Sequence, residues 1–140
     1  MTKFAFALLL ASIAFGQQYN RAMCSNEITV GTYMVSCSGF MTPVVNGPSI
    51  PFTALATVTG DANGSFSGVG TNMIAGTAIT APVTGQANTN SDCTGKITYN
   101  KGTPGEINIQ FVVLSDGDEI RGMLIDKGSN VSCQLIRIRR

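Results

Sequence analysis

The sequence predicts an all-β protein: an antiparallel, up-and-down β-barrel of about eight strands stapled by disulfides, with a β-sandwich as the alternative. Three observations lead there. From Ile28 onward, short runs rich in Thr, Val, Ile and aromatic residues recur about every ten residues, separated by clusters of Gly, Asn, Asp and Pro. No segment carries a helical period of apolar residues. Four cysteines, Cys24, Cys37, Cys93 and Cys133, lie beyond an N-terminal segment that reads as an export signal.

That signal is Lys3, the apolar run Phe4 to Leu10, and the small-residue stretch Ala11 to Gly16, with cleavage expected after Gly16. The apolar run falls short of the roughly 20 residues that cross a bilayer, so no membrane span is expected. Residues 17–140 then form one barrel domain. Its first strand is expected over Glu27 to Ser38, with Ile28, Val30, Thr32 and Met34 on one face and Thr29, Gly31, Tyr33 and Val35 on the other. Phe40 to Pro51 holds Pro43, Pro48 and Pro51, which remove ladder donors, and reads as a long surface loop.

Phe52 to Thr59 is the second strand, and the Asn63-Gly64 reversal leads into a third at Ser65 to Gly70. Ile74 to Val83 and Thr84 to Asn88 are one bent strand or two, with Pro82 marking an edge or a bend. Lys96 to Tyr99 follows the turn at Asn90 to Gly95. The clearest hairpin comes next: Glu106 to Leu114 places Ile107, Ile109, Phe111 and Val113 on one face, Ser115 to Asp118 reverses the chain, and Glu119 to Ile125 returns. Lys127 to Asn130 turns into the last strand, Val131 to Ile138. Closure of such a set removes its edges and leaves an interior that side chains fill or that holds one small ligand.

An even number of cysteines in an exported chain reads as two disulfides, with three possible pairings. We favour Cys24 with Cys37, tying the N-terminal segment to its neighbouring strand, and Cys93 with Cys133, joining the chain end to a distant turn. Pairing of Cys24 with Cys133 stays open. The spacing is too wide for a CxxC-type metal site.

Composition narrows the chemistry. With no His, the Ser-His-Asp and Cys-His nucleophile systems and the HExxH zinc site are excluded. Charged residues make up 12% of the chain, about half the usual share, and 9 Lys+Arg against 8 Asp+Glu give no field for nucleic acid. No metal, cofactor or catalytic set is expected. The acidic cluster Asp116, Asp118, Glu119 and Asp126 lacks calcium-loop spacing and reads as solvated turns.

The ordered set Cys24-Ser25-Asn26, Gly31-Thr32-Tyr33, Gly60 to Gly68, Asp92 to Gly95, Phe111-Val112-Val113 and Asp118-Glu119-Ile120 resembles a group of small exported bacterial β-rich proteins. The Gly31-x-Tyr33 step is similar to the G-x-W that opens lipocalin barrels. That resemblance implies a calycin-like barrel in which Arg137 or Arg139 of the last strand covers the Tyr33 ring. Tyr33 stands where lipocalins have Trp, and no C-terminal helix is signalled.

Tyr33, Glu119 and Arg121 are the candidate ligand-binding residues, as polar groups at the mouth of an apolar interior. The leading functional expectation is a secreted, extracellular or periplasmic, non-enzymatic module that binds a small apolar or amphipathic ligand. The alternatives are a structural or surface-interaction domain with a filled core and a cyclase-like or dirigent-like barrel enzyme. A cavity of at least about 300 Å³ separates the first from the second. In either case the mature protein is expected to show no free thiol. Titration with a thiol reagent under denaturing, non-reducing conditions checks this, and two or four reactive thiols would refute the disulfide framework.

Overall fold

Eight strands run up and down in chain order and close through pairing of the last with the first. They are β1 (Gly31–Met41), β2 (Ile50–Gly60), β3 (Ser65–Ile74), β4 (Thr77–Thr89), β5 (Thr94–Tyr99), β6 (Ile107–Leu114), β7 (Glu119–Leu124) and β8 (Ser129–Arg139). The structure, a computed structural model, describes residues 23–42, 44 and 46–140. The signal expected at 1–16 lies outside them, as does Pro43 of the expected loop. No helix among the described residues is long and apolar enough to cross a membrane.

The expected strands and the observed ones differ where backbone chemistry overrides alternation. Asn26–Thr29 form a 3-10 turn instead of the start of the first strand. Ser25 caps that turn by accepting from the Glu27 amide, and Gly31 enters β1 at a φ of 132°, which a side chain rarely tolerates. The expected long loop is trimmed at both ends, because Phe40 and Met41 belong to β1 and Ile50 and Pro51 to β2. Pro51 pairs with Phe40 on one side, while the β2–β3 ladder begins one residue later. Pro82 likewise pairs with Val69 alone, since β5 joins β4 only from Gly85 onward. Each proline therefore sits where the strand has one strand partner and a missing donor costs little.

Ala75-Gly76 supplies the hairpin turn between β3 and β4, with φ of 48° and 84° and with Ile74 opposite Thr77. Such a turn usually announces itself as Asn-Gly, and an alanine there hides it. β4 is consequently one strand through Pro82 and Thr84.

The disulfides are Cys24–Cys93 and Cys37–Cys133, which corrects the favoured pairing of Cys24 with Cys37 and Cys93 with Cys133. Closure explains both. Cys37 and Cys133 are direct register partners across the β1–β8 seam, and both point into the core. The N-terminal segment crosses the end of the barrel where β4 turns into β5, so Cys24 meets Cys93 and its amide donates to the Ser91 carbonyl at 3.3 Å. Two disulfides fit an extracellular or otherwise oxidising compartment.

Few large residues are needed inside because aromatic rings lie over glycines. Phe66 is opposite Gly85 and Phe111 opposite Gly95. A Cβ on Gly85 would stand 2.3 Å from Phe66 Cζ, and one on Gly95 would stand 2.4 Å from Phe111 Cζ, so only glycine admits either ring. Ile97, Ile109, Ile120 and Leu135 fill the space between them.

Cys37–Cys133 closes a loop spanning a sequence separation of 96 residues, and chain-entropy arguments give such a bridge roughly 4–5 kcal/mol. We expect the double variant Cys37→Ala/Cys133→Ala to lose about 3–5 kcal/mol in urea unfolding. A loss below about 1 kcal/mol would show that the seam holds without its bridge.

Candidate functional site

The two ends of the barrel are built differently. At one end the chain before β1 folds across the opening. The Asn26 side chain donates to the Asn63 carbonyl at 3.1 Å and accepts from the Thr89 amide at 2.8 Å, while Thr29 is buried beneath. This end is closed.

Tyr33 anchors the closed end. Its hydroxyl donates to the Gly117 carbonyl at 2.8 Å and accepts from Arg137 Nε and Nη2 at 3.0 and 2.8 Å. Arg137 also donates to the Ile28 carbonyl and to Asp118 Oδ1, the latter at 3.2 Å. Its guanidinium carbon lies 5.4 Å from the centre of the Tyr33 ring, so Arg137, and not Arg139, covers that ring. With a side chain only 8% exposed, Arg137 must have these acceptors, because an unpaired buried guanidinium would be strongly destabilising. One cation thereby ties together the N-terminal turn, β1, the β6–β7 turn and β8.

The three candidate residues do not converge. Tyr33 points inward at the closed end, whereas Glu119 and Arg121 flank the inward Ile120 on β7 and pair with each other on the outer surface. Gln134 Nε2 also donates to Glu119 at 2.9 Å. Contacts with Arg121, first, and Gln134 hold the half-buried Glu119 carboxyl below its usual pKa. The acidic cluster is dispersed as well. Asp118 is taken up by Arg137 and Arg140, while Asp126 lies at the far end and accepts from the Asn108 backbone and side chain at 2.7 and 3.0 Å.

Inside the barrel lie two cavities. The first, about 30 Å³, sits under the closed end among Thr29, Tyr33, Phe66, Ile97, Phe111 and Ile120. The second, about 70 Å³, lies toward the end opposite the N-terminal segment, called the open end below, where Ala54, Ala56 and Gly70 face Val35, Phe52 and Ile109. Among the described residues, Tyr99 alone lines both. Its ring meets Phe66 edge to face at 4.8 Å and forms the partition.

The Tyr99 hydroxyl is fully buried and, among the described residues, has no hydrogen-bond partner. Burial pushes its pKa strongly upward. In the sequence Tyr99 reads as an ordinary strand residue and not as a site. The available signal was its alternation with Ile97, which puts a phenol on an inward position. Burial also raises Tyr33, against the opposing hydrogen bond and charge of Arg137.

Both phenols have folded-state values above the ordinary 10.0, so the stability they carry is complete below pH 10 and is lost as pH rises further. We expect the urea midpoint to hold up to about pH 10 and then fall, Tyr99 alone contributing up to about 1.4 kcal/mol per pH unit. Unfolding should accompany the ionisation of Tyr33 and Tyr99, followed by their own ring resonances in NMR. Ionisation of Tyr33 and Tyr99 near pH 10 in a folded barrel would contradict their placement.

No protein-family model, curated protein or solved structure matches the chain.

Proposed function

We propose that the protein is an exported, non-enzymatic surface-interaction module: residues 1–16 direct it out of the cell, and the filled, calycin-like barrel presents one side of its outer wall to a partner. The observation that carries this reading is the distribution of charge. β1, β2, β3 and β4 contain no charged residue at all, and between Glu27 and Asp92 the chain has only Asp61, in a turn. The charges sit on the other half and on the ends.

The uncharged side is also partly apolar. Met34, Leu55 and Val69 are 48, 64 and 57% exposed, and they stand within neighbouring register rows, Met34–Thr57–Val69–Pro82 beside Ser36–Leu55–Thr71–Thr80. Hydroxyl pairs on this side fix its side chains, Thr32 with Thr59 at 3.1 Å and Thr71 with Thr80 at 2.8 Å. A neutral, Thr-rich barrel wall with exposed apolar residues in neighbouring rows suits a neutral polymer surface or another sheet, because exposed apolar patches on a folded domain mark contact sites.

The interior supports the same reading. Its cavities of about 30 and 70 Å³ are below the roughly 300 Å³ at the lower end for whole-ligand pockets, which favours a filled core over an enclosed cargo.

The double variant Leu55→Lys/Val69→Lys should keep the fold, because both side chains point outward. We expect it to reduce retention on insoluble glucan, chitin or peptidoglycan, or self-association in sedimentation, by about ten-fold or more, since unpaired charges in a neutral interface are repulsive. Absence of both retention and self-association in the unmodified protein would sink the proposal.

A further inference from the structure

The fill of the barrel is uneven, and the unevenness is located. On the closed-end side each inward glycine of the Phe66–Gly85 and Phe111–Gly95 pairs is covered by a ring. Toward the open end, Ala54, Ala56 and Gly70 line the wall and no aromatic ring from a register partner covers them. Three small residues on adjacent strands therefore leave the cavity of about 70 Å³.

Its walls are apolar apart from three residues. Asn72 and Asn100 stand toward the open end and are only partly buried. Tyr99 also lines it, with a buried hydroxyl that lacks a partner among the described residues. An unpaired buried hydroxyl is destabilising, and such groups are rare in folded proteins unless something fills the place. A water molecule uses about 10–15 Å³ of such space, so the cavity has room for about five water-sized groups, and water makes about three hydrogen bonds where it is buried. Ala54, Ala56, Gly70, Val35 and Ile109 offer side chains with none.

We propose that the open-end cavity is a binding site for a small neutral organic molecule carrying one oxygen acceptor, of the size of a four-carbon alcohol or ketone. Its carbon skeleton packs on Ala54, Ala56 and Gly70, and its oxygen accepts from the Tyr99 hydroxyl. A charged ligand is disfavoured because no charged side chain lines the cavity. The site is independent of the outer sheet face, so either reading can fail alone.

The test is titration of the disulfide-intact protein with butan-1-ol, and with cyclopentane as a ligand without oxygen, followed by methyl resonances in heteronuclear NMR. Saturable shifts are expected at Ala54, Ala56 and Ile109, with Ile120 and Leu135 at the closed end unmoved. Tyr99→Phe keeps the ring and should weaken butan-1-ol by about five-fold, the worth of one neutral hydrogen bond, while leaving cyclopentane binding unchanged. Ala56→Leu should abolish both, and Ala54→Val provides a milder filling if the larger residue disturbs the fold. Absence of saturable shifts, shifts spread evenly over the barrel, or equal butan-1-ol binding by Tyr99→Phe would overturn the proposal.

Discussion

Closure of β8 onto β1 is the constraint on which the rest depends. These two strands are the most distant in sequence, so their pairing carries the largest loop-closure entropy of any ladder in the molecule. The seam is reinforced at its middle by Cys37–Cys133 and at the closed end by Arg137 over Tyr33. Every other ladder joins strands that follow each other along the chain and needs only a local turn. Without the seam, β1 and β8 would each expose a row of unpaired backbone groups, and the inward faces of all eight strands would lose their opposite wall. The second disulfide does a different job. Cys24–Cys93 holds the N-terminal segment across the closed end, where Asn26 and Thr29 complete the lid.

Filling follows from closure. A barrel of eight strands has an interior that ordinary side chains only just fill, and this chain has no Trp and few aromatic residues. Placing Phe66 and Phe111 over Gly85 and Gly95 brings two rings to the axis without lengthening the side chains. The same economy fails on the β2–β3 wall, where Ala54, Ala56 and Gly70 have no ring above them. The closed half is therefore dense and the open half is not, and Tyr99 marks the boundary with a hydroxyl that neither half satisfies.

Much of this was legible beforehand, and the misses share a cause. Class, strand number and order could be read because alternation and turn clusters are local signals: Ile107, Ile109, Phe111 and Val113 are inward or core-packed in a hairpin returned by Ser115 to Asp118. Tyr33 under an arginine of the last strand is what the resemblance of the Gly31-x-Tyr33 step to the lipocalin G-x-W implies, and Arg137 is that arginine. Cysteine pairing was misread because it depends on which strands meet across the seam, and Cys37 and Cys133 are neighbours only once the barrel closes. Ala75-Gly76 was missed because alanine seldom takes a left-handed turn position. Glu119 and Arg121 were grouped with Tyr33 by their polarity, although alternation about Ile120 sends both outward. Tyr99 is not legible as a site because an orphaned hydroxyl is a property of three-dimensional packing and leaves no mark on composition.

The strand edges compensate for the partition of charge. A neutral half-barrel with exposed Leu55 and Val69 invites uncontrolled sheet-to-sheet pairing wherever a strand has a free side. β4 has one from Thr77 to Val83, where β5 does not reach. Natural sheets protect such edges with lysines or prolines, and here no lysine is present while Pro82 interrupts the row of donors. The loop after β5 covers the far end of that edge, with the Asn100 amide donating to the Thr84 carbonyl at 2.9 Å. Indefinite edge pairing is thus restrained by backbone chemistry, and the outer face is spared charges that would otherwise do that work. A surface protected in this way stays neutral without becoming an open template, which is what a contact face for a neutral partner requires.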